Sequence, residues 1–257
     1  MRNAIDDMGA TITLPDSAQR VVSIVPSLTE SVALTRRESL IAATDWCTHP
    51  SDLDVTRIRG TKNPDVAAII ALQPDVVLAN KEENRRLDVE RLRAADISVW
   101  VTVIETVDQS LLSLRRMFRE CLGWEVPLWL VEAESVWREP LNSKPVRALI
   151  PVWRDPWIVV GSSTFTGDLA ARLGLHNIYQ DHAKRYPQVA LDELRASLPD
   201  LVVLPNEPYL FTSADGPEAF PGSACALVDG RALTWYGPSL VTARGLLTQQ
   251  LSRPISR

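Results

Sequence analysis

Short apolar runs alternate with stretches of helical period along most of this chain. Val21 to Val25, Val76 to Ala79, Arg147 to Val152 and Leu201 to Leu204 carry few polar interruptions, the pattern of strands buried on both faces of a parallel sheet. Between such runs lie segments that read as helices: Val66 to Leu72, Leu169 to Leu173 and Leu191 to Leu198. Val107, Leu111, Leu114, Met117 and Phe118 recur at helical spacing from Thr106 to Arg119. Ser27 and Glu30 have capping-box spacing, each satisfying an orphan amide of a first helical turn. Alternation of this kind predicts an α/β protein with parallel sheets.

One strand signature occurs twice, as Pro74-Asp75-Val76-Val77-Leu78-Ala79-Asn80 and as Pro199-Asp200-Leu201-Val202-Val203-Leu204-Pro205-Asn206. Each copy follows a helix-like run, opens on a Pro-Asp breaker and stops at Asn. The repeat predicts two α/β lobes, residues 1–126 and 146–257, with 127–145 as a single rigid bridging helix between them. Pro127 begins this bridge at a tolerated first-turn position, and Leu128 to Arg138 would span about 17 to 20 Å at ~1.5 Å per residue. Ligands of open α/β sheets bind outside the carboxyl ends of the strands, which places Asn80 to Asn84 and Asn206 to Tyr209 where two lobes would face one ligand.

Composition narrows the function. The 257 residues are 46% hydrophobic and 23% charged, a globular composition without a low-complexity tract. A net charge of -5 provides no basic stripe for nucleic acid and no polybasic patch for lipid. Cys47, Cys121 and Cys225 form no CxxC pair, so neither a zinc site nor a disulfide framework is readable. The first residues lack the apolar stretch of a secretory signal, and no run is long enough to span a membrane. The expectation from the sequence as written is therefore cytoplasmic, with no membrane insertion.

A family resemblance follows from the order of motifs: a strand, Pro26-Ser27-Leu28-Thr29-Glu30, Asp45-Trp46-Cys47-Thr48-His49-Pro50, Gly60-Thr61-Lys62-Asn63-Pro64, the first Pro-Asp strand, a bridge, and a second lobe with Tyr186-Pro187-Gln188-Val189. From about Arg20 to about Leu247 this order resembles the vitamin B12 and iron-siderophore substrate-binding proteins of ABC importers. The resemblance implies the class III periplasmic-binding-protein fold of two Rossmann-like lobes, with a corrinoid or iron chelate held between lobes as cargo and no intrinsic cofactor. It implies an ABC permease as a partner for a periplasmic or extracytoplasmic protein, which stands against the cytoplasmic expectation. Aromatic clamps of the family correspond here to Trp46 and Tyr186. Thr61 and Asn80 stand where B12 binders carry further tryptophans, which implies a ligand more polar than a corrinoid. Counting places Ala67 and Asp192 at the two acidic permease-docking positions, so Asp192 is the surviving candidate.

The residues themselves add candidates. Lys62, Asn63, Asn80, Glu82 and Glu207 are able to hold a polar ligand by charge-assisted hydrogen bonds, although acidic residues near Lys81 to Arg86 equally suit a solvated helix start. Trp153 and Trp235, with Trp157 and Tyr236, follow second-lobe strands and offer ligand faces or core packing. His49 offers an axial imidazole to a corrinoid or iron chelate, or a packed turn before Pro50. No HExxH, Walker or GxSxG motif is present. A cytosolic enzyme or pathway accessory acting on a small polar ligand is the alternative function, with Cys47 and His49 as its nucleophile and base.

Overall fold

The computed structural model describes residues 1–139 and 144–255. Its chain divides into two compact units: Met1–Ile104, Asp108–Ala133 and Tyr236–Pro238 form the first, and Glu105–Val107, Glu134–Trp235 and Ser239–Arg257 the second.

The first unit begins with an antiparallel hairpin, β1 (Arg2–Ile5) and β2 (Thr11–Leu14). Next come β3 (Val21–Ser23), α1 (Pro26–Arg36), β4 (Leu40–Ala43) and the short β5 (Thr56–Arg57). A second hairpin, β6 (Arg59–Gly60) and β7 (Asn63–Pro64), leads into α2 (Val66–Ala71), β8 (Val76–Asn80), α3 (Arg86–Ala94) and β9 (Val99–Thr102). The main sheet has the order β5-β4-β3-β8-β9, parallel throughout. Every residue of β3, β8 and β9 is buried, which explains why their sequences are apolar up to a single polar residue at the carboxyl end. Val22, Ile69, Val77, Leu92 and Val101 meet in the core on one face of this sheet.

Helix α4 (Val107–Arg116) is followed by a π-helical turn over Met117–Leu122, so the expected Thr106 to Arg119 helix changes its winding near its end. The division between the units falls within α5 (Leu128–Val136). Of the bridging segment expected at 127–145, residues 140–143 lie outside the described residues.

In the second unit β10 (Val146–Leu149) runs into an antiparallel pair, β11 (Pro151–Trp153) and β12 (Ile158–Val159). Then follow α6 (Phe165–Arg172), β13 (Leu175–Asn177), α7 (Leu191–Ala196), β14 (Leu201–Pro205), β15 (Ala224–Val228), α8 (Gly230–Thr234) and α9 (Leu240–Leu251). The sheet order is β13-β10-β14-β15, again parallel. Leu149, Trp157, Leu194, Val202 and Phe220 share its core.

The sequence repeat has a structural counterpart. Gln73 and Leu198, each just before a Pro-Asp pair, adopt left-handed backbone at φ 45° and 47°, turning the chain sharply out of α2 and α7. Asp75 Oδ2 then accepts from the Gln19 and Arg20 amides at 2.7 and 2.9 Å, and Asp200 Oδ2 from the Arg147 amide at 3.2 Å. Each aspartate thereby fastens the start of the Pro-Asp strand to the start of its neighbour. One local expectation is corrected. Ser27 does not cap α1, because Pro26 already occupies the first turn and Val25 is the residue before it. The run from Trp157 to Val160 pairs antiparallel with Pro151–Trp153.

Candidate functional site

In each unit the loops leaving the carboxyl ends of the parallel strands gather most of the candidate residues. At the first unit's edge the loop after β4 carries Trp46 and His49, the β6–β7 turn carries Thr61, Lys62 and Asn63, and the loop after β8 carries Glu82 and Glu83. Trp46 is 68% exposed. Gly60 allows this placement: a Cβ there would lie 3.2 Å from Trp46 Nε1 and 2.5 Å from Asn63 Oδ1.

Asn80 and Asn84 build this edge from inside. Both are buried. Asn80 Oδ1 accepts from the Glu82 amide at 2.8 Å and the Glu83 amide at 3.3 Å, while its Nδ2 donates to Thr102 Oγ1 at 3.1 Å. Asn84 Nδ2 donates to the carbonyls of Ile24 and Thr61, each at 3.0 Å, and Asn84 Oδ1 accepts from the Asn80 amide at 2.8 Å. Three loops are thus tied together by two side-chain amides. Asn80, expected to present its amide to a ligand, instead spends it shaping the loop. Lys62 donates through Nζ to the Glu82 carbonyl, closing the rim over the same loop.

Glu83 is half-buried and accepts at Oε1 from the Tyr236 hydroxyl at 2.6 Å. Loss of solvation pushes its carboxyl up to about 7; Glu82 adds to the rise, and Tyr236 and Lys62 oppose it. Tyr236, considered as a clamp, is therefore buried with its hydroxyl directed to this carboxylate. Cys47 and His49 are not assembled as a nucleophile and base. Cys47 Sγ lies 3.0 Å from Thr29 Oγ1 and 3.1 Å from Thr44 Oγ1, burial pushes the thiol up, and His49 Nδ1 is 3.2 Å from Thr48 Oγ1. No group of three or more metal-binding side chains occurs among the described residues.

The second unit's edge carries Trp153 on β11, Tyr186 in the loop after β13, Glu207 after β14 and Trp235 after α8. Trp153 is 43% exposed and Tyr186 41%. The Trp153 ring meets Tyr209 edge-on at 5.7 Å, and the Tyr209 hydroxyl donates to Asp215 Oδ2 at 2.7 Å. Arg154 pairs with Asp215 and Glu218, fixing the loop that supports Trp153. The bend before Tyr186 lies against Gly161, whose amide donates to the Arg185 carbonyl at 2.7 Å. Any Cβ at Gly161 would approach the Lys184 carbonyl oxygen to 2.2 Å.

Trp157 and Trp235 do not present faces. Trp157 stacks on Phe211 within the core, and Trp235 is 9% exposed beneath Arg231, whose guanidinium lies 5.7 Å from the ring. Glu207 is half-buried, with Oε1 enclosed and without a hydrogen-bond partner among the described residues. Burial and the nearby Asp229 raise its carboxyl above the usual range, against Arg231 and the Trp235 indole. Gly230 makes room for it, since a Cβ there would fall 2.4 Å from Glu207 Cγ. Asp192 is exposed in the first turn of α7, 3.8 Å from Arg195, and Ala67 is exposed on α2. The sequence reading missed Arg231 and Arg154, since nothing local marks either as a neighbour of an edge aromatic.

No family model matches the sequence. The chain is 23% identical over 198 residues to the vitamin B12-binding protein of Pectobacterium atrosepticum, spanning 72% of this chain and 71% of that protein. Among solved structures it superposes on the periplasmic vitamin B12-binding protein of Vibrio cholerae with a TM-score of 0.72 at 17% identity, covering 91% of this chain and 97% of that one. A periplasmic heme-binding protein from Pseudomonas aeruginosa gives a TM-score of 0.74 at 20% identity, with 93% and 95% covered. The fold is that of the class III periplasmic binding proteins.

Proposed function

We propose that this chain, related in sequence to the vitamin B12-binding proteins and built on their fold, is a solute-binding protein that captures a metal chelate, a corrinoid or ferric siderophore-like compound, at the carboxyl edges of its sheets. The observation that carries the reading is the exposure of Trp46, Trp153 and Tyr186 at those edges. Of the tryptophans, Trp46 and Trp153 are the exposed ones. A large flat chelate covers such rings and removes their apolar area from water, at about 25 cal/mol per Å² before the costs of association.

Lys62, Asn63, Glu82 and Glu207 supply the polar rim, with Thr61 beside them, and His49 is the candidate imidazole for a metal in the chelate. The chelate is cargo and not a resident cofactor, and the protein performs no catalytic step on it. The buried Cys47 thiol with its raised pKa speaks against the alternative of a Cys-His enzyme. The solved neighbours are described as periplasmic, and the proposal takes extracytoplasmic capture in place of the cytoplasmic expectation. Delivery to an ABC permease belongs to the same proposal, with Asp192 as a docking carboxylate.

The test is quenching of tryptophan fluorescence by cyanocobalamin, cobinamide, haemin and a ferric siderophore. Saturable quenching by at least one that weakens in Trp46→Ala supports the proposal. The absence of saturation with all of them overturns it.

A further inference from the structure

Tyr236–Pro238 are embedded in the first unit, while the chain on either side belongs to the second. Close packing at Gly237 and a hydrogen bond from Tyr236 hold the segment on the first unit. Gly237 lies so close to α1 that a Cβ would sit 2.9 Å from Ser31 Oγ and 3.1 Å from the Ser27 carbonyl oxygen. Beside it the Tyr236 hydroxyl reaches Glu83 in the loop after β8 at 2.6 Å. That loop also contains Glu82, whose carbonyl Lys62 holds from the β6–β7 turn. Tyr236 is 5% exposed, so its hydroxyl is committed to the interior and withdraws from Glu83 only if the segment lifts.

We propose that Glu83 and Tyr236 form a proton-operated clasp: with Glu83 protonated the clasp seats Tyr236–Pro238 on α1, and ionisation of Glu83 loosens it. Among the described residues, the titratable groups facing Glu83 are Glu82 on its own loop, Lys62 from the hairpin turn and the neutral Tyr236 hydroxyl, with the neutral Cys47 thiol also within its field. Lys62 and Tyr236 favour the ionised form, but burial outweighs them and raises the carboxyl from 4.5 to about 7. A carboxyl that titrates near 7 when enclosed and near its ordinary value when wetted makes the wetted arrangement gain with pH. Linkage between these two values gives about a tenfold shift toward the loosened segment between about pH 6 and about pH 8.

The consequence for cargo rests on the proposed function, because the loop the clasp controls carries the Lys62–Glu82 part of the polar rim. Chelate affinity is expected to fall across the same pH interval. The clasp itself does not depend on that reading.

Hydrogen exchange by mass spectrometry on the ligand-free protein tests it. After correction for intrinsic exchange rates, protection of the peptide containing Tyr236–Pro238 is expected to drop by about tenfold from about pH 6 to about pH 8. In Glu83→Gln, which keeps the shape but cannot ionise, protection stays level. Tyr236→Phe lowers protection throughout. A level wild-type profile, or an equal drop in Glu83→Gln, overturns the clasp. Should Glu83→Gln fail to fold, a carbon-13 titration of the wild-type glutamate carboxyls decides: a midpoint near 7 that vanishes on unfolding supports the clasp, and its absence refutes it. Titrations with cyanocobalamin, cobinamide, haemin and a ferric siderophore at both pH values separate the two claims. If none of the four binds, the cargo reading falls and the exchange result stands alone.

Discussion

Replacing Asn84 by Ala should destabilise the first unit alone. The side chain is 7% exposed and makes three hydrogen bonds, to the Ile24 and Thr61 carbonyls and from the Asn80 amide. Alanine leaves all three backbone groups without that partner. Each buried polar group left unsatisfied costs about 1–3 kcal/mol. Taking the low end for all three, because water can enter the vacated space, gives a loss of about 3 kcal/mol. For a protein of this size that is a fall in Tm of about 6–12 °C. Differential scanning calorimetry is the assay, and the two units supply an internal control where their transitions separate. The transition of the first unit should move down while that of the second stays within about 1 °C. A loss under about 1 kcal/mol, or an equal shift of both transitions, would refute the assignment of Asn84 as the tie between three loops.

Trp46→Ala should leave stability within about 0.5 kcal/mol, since the ring is 68% exposed, yet weaken chelate binding about tenfold or more, as for an aromatic anchor of an interface; unchanged affinity by titration counts against Trp46 as a ligand face. Glu83→Gln should alter the pH dependence of stability: because the folded carboxyl is raised from 4.5 to about 7, its stabilising contribution is complete below about pH 4.5 and is lost as pH rises to about 7, an upper bound of about 3 kcal/mol. Urea titrations of wild type and variant should diverge over that interval, and parallel curves would contradict the raised carboxyl. Asp75→Ala should cost more than Asp200→Ala, about 1–2 against about 0.5–1 kcal/mol, because Asp75 accepts from two amides and Asp200 from one longer donor; a reversed order in chemical denaturation would show that the repeat is not held by these contacts.

The sheets were legible because strands buried on both faces must be apolar throughout, and the two Pro-Asp runs became β8 and β14 at nearly the expected residues. The edges were legible too, as the ends of those strands. Which aromatics face outward was not. Trp46 and Trp153 stand exposed while Trp157 and Trp235 are covered, and the difference comes from Phe211 and Phe220 packing on Trp157 and Arg231 lying over Trp235, neighbours that no local spacing announces. Asn80 read as a ligand contact because Asn at a strand end suits either a rim or an internal turn, and only the positions of the Glu82 and Glu83 amides decide between them. Glu83 and Tyr236 are 153 residues apart, so their hydrogen bond has no signature in the sequence. The unmade capping box shows the converse: Ser27 and Glu30 have the required spacing, but Pro26 moves the helix start two residues earlier.

Isothermal titration calorimetry of the full chain with cyanocobalamin, cobinamide, haemin and a ferric siderophore measures the central claim most directly. One of the four should give a saturable isotherm with a single site and a Kd of about 1 μM or tighter, with the enthalpy lost or affinity reduced in Trp46→Ala. Heats indistinguishable from dilution for all four would contradict capture of a metal chelate.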